Sequence, residues 1–291
     1  MFDNPSQFLE QALFIATGQN LQLLNMQMQA GGCINQTVHI STSGGDFFIK
    51  WNDSAEADMF EAEAKGLALL KQAGALPVPE VIGQGQVEGR PFLLLEYLDS
   101  RTPHKDYWQA LGQGLAQLHA TTQENYGLDY NNYIGRLPQH NEPLPGWVDF
   151  FIQRRLEPQL GLAYYNQQVD KTFLERFRKL YPQLKELLVE EPPALLHGDL
   201  WSGNVMTGPK GAAWIIDPAV YYGHREAELA FTRLFGGFDP AFYSAYQEAK
   251  PMENGYEERF DIYNLYPLLV HVNLFGAAYL SGVQQTLNRY C

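Results

Sequence analysis

The stretch Leu195-Leu196-His197-Gly198-Asp199-Leu200-Trp201-Ser202-Gly203-Asn204 decides how this chain is read. Ala194-Leu195-Leu196 is apolar and short enough to be a buried strand, and its end delivers a carboxylate, Asp199, into a loop. An amide, Asn204, follows five residues later. A second apolar run, Ala213-Trp214-Ile215-Ile216, then ends in Asp217-Pro218. If the two strands are related as a hairpin, their ends bring Asp199, Asn204 and Asp217 to one rim.

Those residue types define a chemistry. Hard oxygen ligands such as Asn204 and Asp217 suit Mg²⁺, which binds one or two protein groups and completes its shell with phosphate oxygens. Asp199 is then left to accept a hydroxyl proton and orient a nucleophile. This is the layout of kinase-type phosphoryl transfer. An isolated His-x-Asp arises by chance, and a lone histidine is more often structural than catalytic. The ordered set His197, Asp199, Asn204 and Asp217, with a strand before each aspartate, is far more specific. Within it His197 reads as the residue holding the loop.

Working outward, the N-terminal third is rich in strand and turn signals. A first helix opens with Asn4 as cap and Pro5 in its first turn, turns Phe8, Leu9, Ala12, Leu13 and Ile15 to one side, and stops at Gly18. Strand-like runs follow over residues 21–30, 34–40 and 47–51, then a helix that Asp53 and Glu56 cap and Gly74 ends. Two further strands lie around 81–86 and 91–97. Lys50 sits on the third strand and Glu63 on the following helix between Phe60 and Leu67, where an unpaired carboxylate is costly. A Lys50–Glu63 ion pair resolves both and aims the ammonium at nucleotide phosphates; Glu61 is the other candidate partner. The loop Gly31-Gly32-Cys33 offers backbone N–H groups to the phosphates, although it lacks a G-x-G-x-x-G pattern. Its donors also make a setting that lowers a thiol pKa at Cys33. Backbone groups near Glu96 and Leu98 are placed to meet an adenine edge.

Beyond Leu98 the texture becomes helical. The expectation is a two-lobed, protein-kinase-like α+β fold. Residues 1–98 form a small antiparallel β lobe that binds nucleotide, residues 99–291 a larger helical lobe for catalysis and substrate, and an ATP cleft falls around residue 98. The 291 residues are 45% apolar and 13% aromatic, a globular composition. A formal net charge of −13 and the lack of a basic block argue against nucleic acid and anionic membrane surfaces as partners. No apolar run is long enough to cross a bilayer, the first residues do not resemble a signal peptide, and the two cysteines, Cys33 and Cys291, make no disulfide framework. A cytoplasmic setting is the resulting expectation, with monomer and dimer both open.

His-Gly-Asp-Leu-Trp-Ser-Gly-Asn at 197–204, Ile216-Asp217-Pro218-Ala219 and Tyr222-Gly223-His224-Arg225-Glu226 resemble the fructosamine kinase (ketosamine 3-kinase) family, within the aminoglycoside phosphotransferase and protein-kinase-like superfamily. The similarity extends to Gly31-Gly32-Cys33-Ile34, to Asn132-Tyr133-Ile134-Gly135 with Gln139 and Asn141, and to Phe235-Gly236-Gly237-Phe238. It implies ATP- and Mg²⁺-dependent phosphorylation of the sugar 3-hydroxyl of ketosamines, either small molecules or glycated protein amines. The 3-phosphate is a leaving group β to a carbonyl, so its elimination frees the amine. The resemblance also implies Asp199 as base, Asn204 and Asp217 as Mg²⁺ ligands and Lys50 as the phosphate-binding lysine. Trp201 becomes either a platform for the sugar or a packing residue. Gly198 stands where protein kinases carry arginine, and no Ala-Pro-Glu follows Asp217, which disfavours activation-loop signalling. The rival readings are a kinase of the aminoglycoside or choline type and a catalytically inactive, kinase-shaped binding protein.

Overall fold

The computed structural model describes residues 5–29, 35–53, 55–99 and 101–290. Asn4 and the loop Gly31-Gly32-Cys33-Ile34 lie outside the described residues, and with them the readings placed on a helix cap, a phosphate-facing loop and a thiol. The chain forms two compact units. The first comprises Met1–Tyr107 and Gly203–Pro218, the second Trp108–Ser202 and Ala219–Cys291. Where the change of texture suggests one boundary at residue 98, the chain passes between units three times.

In the first unit, helix α1 (Pro5–Thr17) precedes strands β1 (Leu23–Met28), β2 (Gln36–Thr42) and β3 (Gly45–Trp51). Helix α2 (Met59–Ala73) and strands β4 (Val81–Val87) and β5 (Arg90–Glu96) follow. The five strands make one antiparallel sheet in the order β1-β2-β3-β5-β4. Side chains alternate across a strand, so Ile49 and Trp51 face one way and Lys50 the other. Ile49 and Trp51 join Val38, Ile40, Val87, Phe92 and Leu94 in a core closed by Phe8, Leu9, Ala12 and Leu13 of α1. Helix α2 packs along β4 and β5 on the Lys50 side.

Three local expectations are corrected. Ile15 is 48% exposed, because the buried stripe of α1 stops at Leu13. Helix α2 begins at Met59 with Asp58 at its cap, not at Asp53 with a Glu56 capping box, and Asp53 instead pairs with Arg90 at 3.2 Å. Gly74 does end it, in the left-handed conformation that only glycine adopts cheaply. Residues 21–30 shrink to the six-residue edge strand β1, with Leu24, Met26 and Met28 on one exposed face.

Helix α3 (Tyr107–Leu118) belongs to the second unit from Trp108 onward, and its Leu111, Leu115 and Leu118 are buried at helical spacing. A small hairpin, β6 (Asn132–Ile134) with β7 (Leu137–Gln139), leads into α4 (Trp147–Phe150). That helix runs through a π segment, Phe151–Leu156, into α5 (Glu157–Tyr165), and α6 (Lys171–Leu187) is capped by the Asp170 carboxylate. Strand β8 (Ala194–Leu196) is followed by β9 (Val205–Thr207) and β10 (Ala213–Ile215), which belong to the first unit, and then by β11 (Tyr221–Gly223). Helices α7 (Arg225–Leu234), α8 (Pro240–Ala249), α9 (Tyr256–Tyr263), α10 (Leu265–Phe275) and α11 (Leu280–Tyr290) complete the unit.

The α1–sheet core sets the stability of the first unit. Leu13→Ala, at a fully buried position, is expected to cost about 2–5 kcal/mol by urea denaturation. Phe14→Ala, on the half-exposed neighbour, should shift it by less than about 0.5 kcal/mol.

Candidate active site

Within the first unit the site is built around a buried cation. Lys50 is 2% exposed, and its ammonium pairs with Glu63 of α2 and, at 2.7 Å, with Asp217 Oδ1. Glu61, the other candidate, faces away and pairs with Lys65 at 2.8 Å. Burial works against the Lys50 charge, but the two carboxylates outweigh it and raise its pKa. Burial, reinforced by the negative charge of Asp217, pushes the Glu63 carboxyl up to about 7 against the pull of Lys50. Asp217 is half exposed and has a φ of +54°, a left-handed backbone that a non-glycine residue holds only when its surroundings impose it.

Asn204 and Asp217 come together at the mouth of the β9–β10 hairpin. Val205 pairs with Ile215, and the Ile216 amide donates to the Asn204 carbonyl at 3.0 Å. The hairpin is tied into its unit by Ile215 N–H to the Pro77 carbonyl and by the Arg101 and His104 amides to the carbonyls of Thr207 and Gly211. This corrects the expected strand relation. Strand β8 is the partner of β11, not of β10, so the hairpin that matters joins Asn204 to Asp217 and does not include Asp199. The donor set fits Mg²⁺: one amide oxygen and one carboxylate, the latter with one oxygen on Lys50 and half its surface open.

At the end of β5 the ladder is rerouted. The Glu96 amide donates to the Glu80 carbonyl at 3.0 Å, but the Glu80 amide donates to the Glu96 side chain, Oε1, at 2.8 Å. A regular antiparallel pair would send that second bond to the Glu96 carbonyl. The side chain thus relieves the backbone carbonyl of its strand partner just before Leu98, which is buried.

In the second unit the loop after β8 is held from behind by Glu228 of α7. Its carboxylate accepts the His197 amide at 3.1 Å and the Gly198 amide at 2.7 Å, and His119 Nε2 lies at 2.9 Å. The other nitrogen of His119 meets the Tyr246 hydroxyl at 2.8 Å. Burial opposes the Glu228 charge, but His119 and the amide donors hold its carboxyl below the ordinary 4.5. Gly198 has φ +85°, and a Cβ there would stand 2.0 Å from the Ala219 carbonyl oxygen. Across this contact the Ala219 amide donates to the His197 carbonyl at 2.9 Å, and the buried His197 ring takes the Asp199 amide at 3.3 Å. His197 is therefore structural. Trp201 is 38% exposed.

A second polar network braces residues 219–220. Asn132 donates to the Val220 carbonyl, Gln139 to the Ala219 carbonyl and to Asn132 Oδ1, and Asn141 to Asn132 Oδ1. Arg155, fully buried in the π segment, donates to Asn141 Oδ1 at 2.8 Å and lies 3.9 Å over the Tyr221 ring. Sequence reasoning quoted Asn132, Gln139 and Asn141 without a task for them, and missed Glu228, His119 and Tyr246. The available signal was a carboxylate, Glu228, flanked by Leu229, Ala230 and Phe231 on an otherwise apolar helix turn.

The depressed Glu228 pKa has a sign. Its contribution to stability is present above the unfolded value of 4.5 and is lost as pH falls through the folded value. Glu228→Gln should be about 1–3 kcal/mol less stable than wild type at neutral pH. In urea titrations the gap should persist down to pH 4.5 and narrow progressively as pH falls further.

Comparison with known proteins converges on one group. The fructosamine kinase family model matches residues 3–291. A probable ketoamine kinase of Synechocystis is 39% identical over 98% of this chain and 96% of its own. The chloroplastic protein-ribulosamine 3-kinase of Arabidopsis thaliana is 35% identical over 95% of this chain and 85% of its own. The solved structure of a fructosamine-3-kinase candidate from Haemophilus somnus 129PT superimposes with a TM-score of 0.87 at 30% identity, covering 98% of this chain and 97% of that one. The fold alone extends to spectinomycin phosphotransferase, solved with ADP, at TM-score 0.57 and 16% identity, covering 98% and 93% of the two chains.

Proposed function

Since the chain belongs to the fructosamine kinase family, we propose that it transfers the γ-phosphoryl group of ATP to the sugar 3-hydroxyl of ketosamines of the fructosamine and ribulosamine type. The observation that carries this reading is the buried Lys50 ammonium held between Glu63 and Asp217. A kinase-shaped protein that had lost catalysis would have no reason to keep a desolvated cation aimed by two carboxylates. Lys50 binds the nucleotide phosphates and Glu63 fixes its direction. The Glu96 carbonyl, relieved of its strand partner, and the Leu98 amide take the adenine edge.

Asn204 and Asp217 hold Mg²⁺, which when bound neutralises phosphate charge. Asp199, on the loop that Glu228 clamps, accepts the proton of the 3-hydroxyl and keeps its oxygen directed at the phosphorus. Trp201, with over a third of its surface open, offers a face to the sugar. No helix among the described residues is long and apolar enough to cross a membrane. The net charge of −13 favours cationic amines over anionic acceptors.

ADP release from Mg-ATP, measured across fructosamine, ribulosamine, erythrulosamine and kanamycin, tests the assignment. Turnover is expected on the ketosamines and not on kanamycin; the reverse pattern sinks the substrate reading. Asp199→Asn should lower kcat by about 10²–10⁴-fold while leaving nucleotide binding intact. Glu63→Gln should instead raise the KM for ATP. A wild-type rate in Asp199→Asn would remove Asp199 as base.

A further inference from the structure

A cavity of about 30 Å³ in the second unit is lined by Asp199 together with Glu228, Tyr266 and His271. That volume admits one or two small polar groups. The hydrogen bonds around it fix the roles of two of its side chains, Tyr266 and His271. Gln139 spends both its N–H donors, on Asn132 Oδ1 and the Ala219 carbonyl, so its oxygen faces the Tyr266 hydroxyl and receives its one proton at 2.7 Å. Toward any other group the Tyr266 oxygen is an acceptor only. His271 Nδ1 stands 2.7 Å from the Pro267 carbonyl and must carry the ring proton, which leaves Nε2 as an acceptor in the neutral ring. Burial lowers the His271 pKa, so the ring stays neutral near pH 7.

Glu228 is already taken by the loop amides and His119, so Asp199, Tyr266 and His271 are the acceptors that face a guest; the Tyr221 and Tyr263 hydroxyls also line the cavity, and no lysine, arginine, asparagine or glutamine is among its described lining residues. Arg155, the nearby cation packed against Tyr266, sends its two terminal nitrogens to the His140 and Arg154 carbonyls and to Asn141. His271 is also ringed by aromatic side chains. Phe235, Tyr279 and Phe275 have centroids 4.7, 5.0 and 5.4 Å from it, and Phe235 and Phe275 are more than 40% exposed. Acceptors beside aromatic faces are a setting for an alkylammonium ion.

We propose that Tyr266 and His271 are specificity residues that accept hydrogen bonds from the protonated amine of the substrate, so that the kinase selects amine-bearing sugars over neutral ones. This rests on the ketosamine reading and deepens it, because a ketosamine carries a secondary ammonium three bonds from the carbon that bears the reacting hydroxyl.

The test compares 1-methylamino-1-deoxyfructose with 1-O-methylfructose, in which an ether oxygen replaces the N–H donors, using full-length enzyme. Wild type should favour the amine about tenfold or more in kcat/KM, the worth of one charge-assisted hydrogen bond. Tyr266→Phe and His271→Phe should each cut that preference through KM, with the KM for ATP unchanged. His271→Gln, which restores an acceptor, should recover part of it. Equal use of amine and ether by wild type, or a preference that survives both phenylalanine variants, overturns the proposal while leaving the kinase standing. Phosphorylation of kanamycin with neither sugar turned over takes down the ketosamine reading and the proposal with it. Should Tyr266→Phe fail to fold by thermal melt, wild type and the two His271 variants still decide.

Discussion

The buried ammonium of Lys50 is the constraint from which the first unit is organised. Taking an ammonium out of water costs several kcal/mol even after relaxation, and a single carboxylate seldom repays it. Here two carboxylates share the task, and they come from separate parts of the chain: Glu63 from α2 and Asp217 from the end of the β9–β10 hairpin. Removing either leaves a charge poorly compensated, so sheet, helix and hairpin are tied by one atom. Asp217 combines a left-handed backbone with an ion pair to Lys50 through one oxygen, while half its surface stays open.

In the second unit an anion has the equivalent place. Glu228 is fully buried and saturated by two backbone amides and His119, which is in turn set by Tyr246. Beside it, Asn132, Gln139, Asn141 and Arg155 spend their donors on the carbonyls of residues 219 and 220 and on each other. Among the described residues no carboxylate pairs with Arg155; its charge is spread over two carbonyls, an amide oxygen and the faces of Tyr221 and Phe150. Networks of this kind stabilise only when nearly complete, and complete ones allow a single arrangement of the backbone they hold. What they hold here is the loop that carries Asp199 and the segment directly after Asp217.

Much of this was legible in the sequence because it is written in local pattern. The alternation of β3 places Lys50 opposite Ile49, and the position of Glu63 between Phe60 and Leu67 announces a carboxylate that needs a partner. The order of His197, Asp199, Asn204 and Asp217 names the chemistry, and the family resemblance names the substrate class. What stayed hidden depends on pairing at long range. Three-residue strands carry too little pattern to choose partners, so the sequence suggests a hairpin of β8 with β10, whereas β8 pairs with β11 and β10 with β9. Glu228 was invisible for a similar reason: its donors lie 30 residues and more away, and a glutamate in a helix ordinarily faces water. The helix start at Met59 was misplaced because Asp53-x-x-Glu56 has the spacing of a capping box, while Asp53 is drawn off to Arg90.

These restraints suit a reaction that asks more of position than of basicity. Phosphoryl transfer depends on alignment and charge neutralisation, and a displacement of about 1 Å can cost a hundredfold in rate. A loop proposed to bear the proton acceptor must then be over-determined. At Gly198 the backbone is left-handed, and the Ala219 carbonyl occupies the space a side chain would need. The arginine that protein kinases carry at that point has no room here. Where such an arginine makes the loop responsive to a phosphate, this loop is fixed from behind by Glu228 and from the front by Ala219. The loop is therefore held by contacts within its own unit. Glycine at 198 is demanded by packing, and the absence of a signalling arginine is a consequence of how the loop is held.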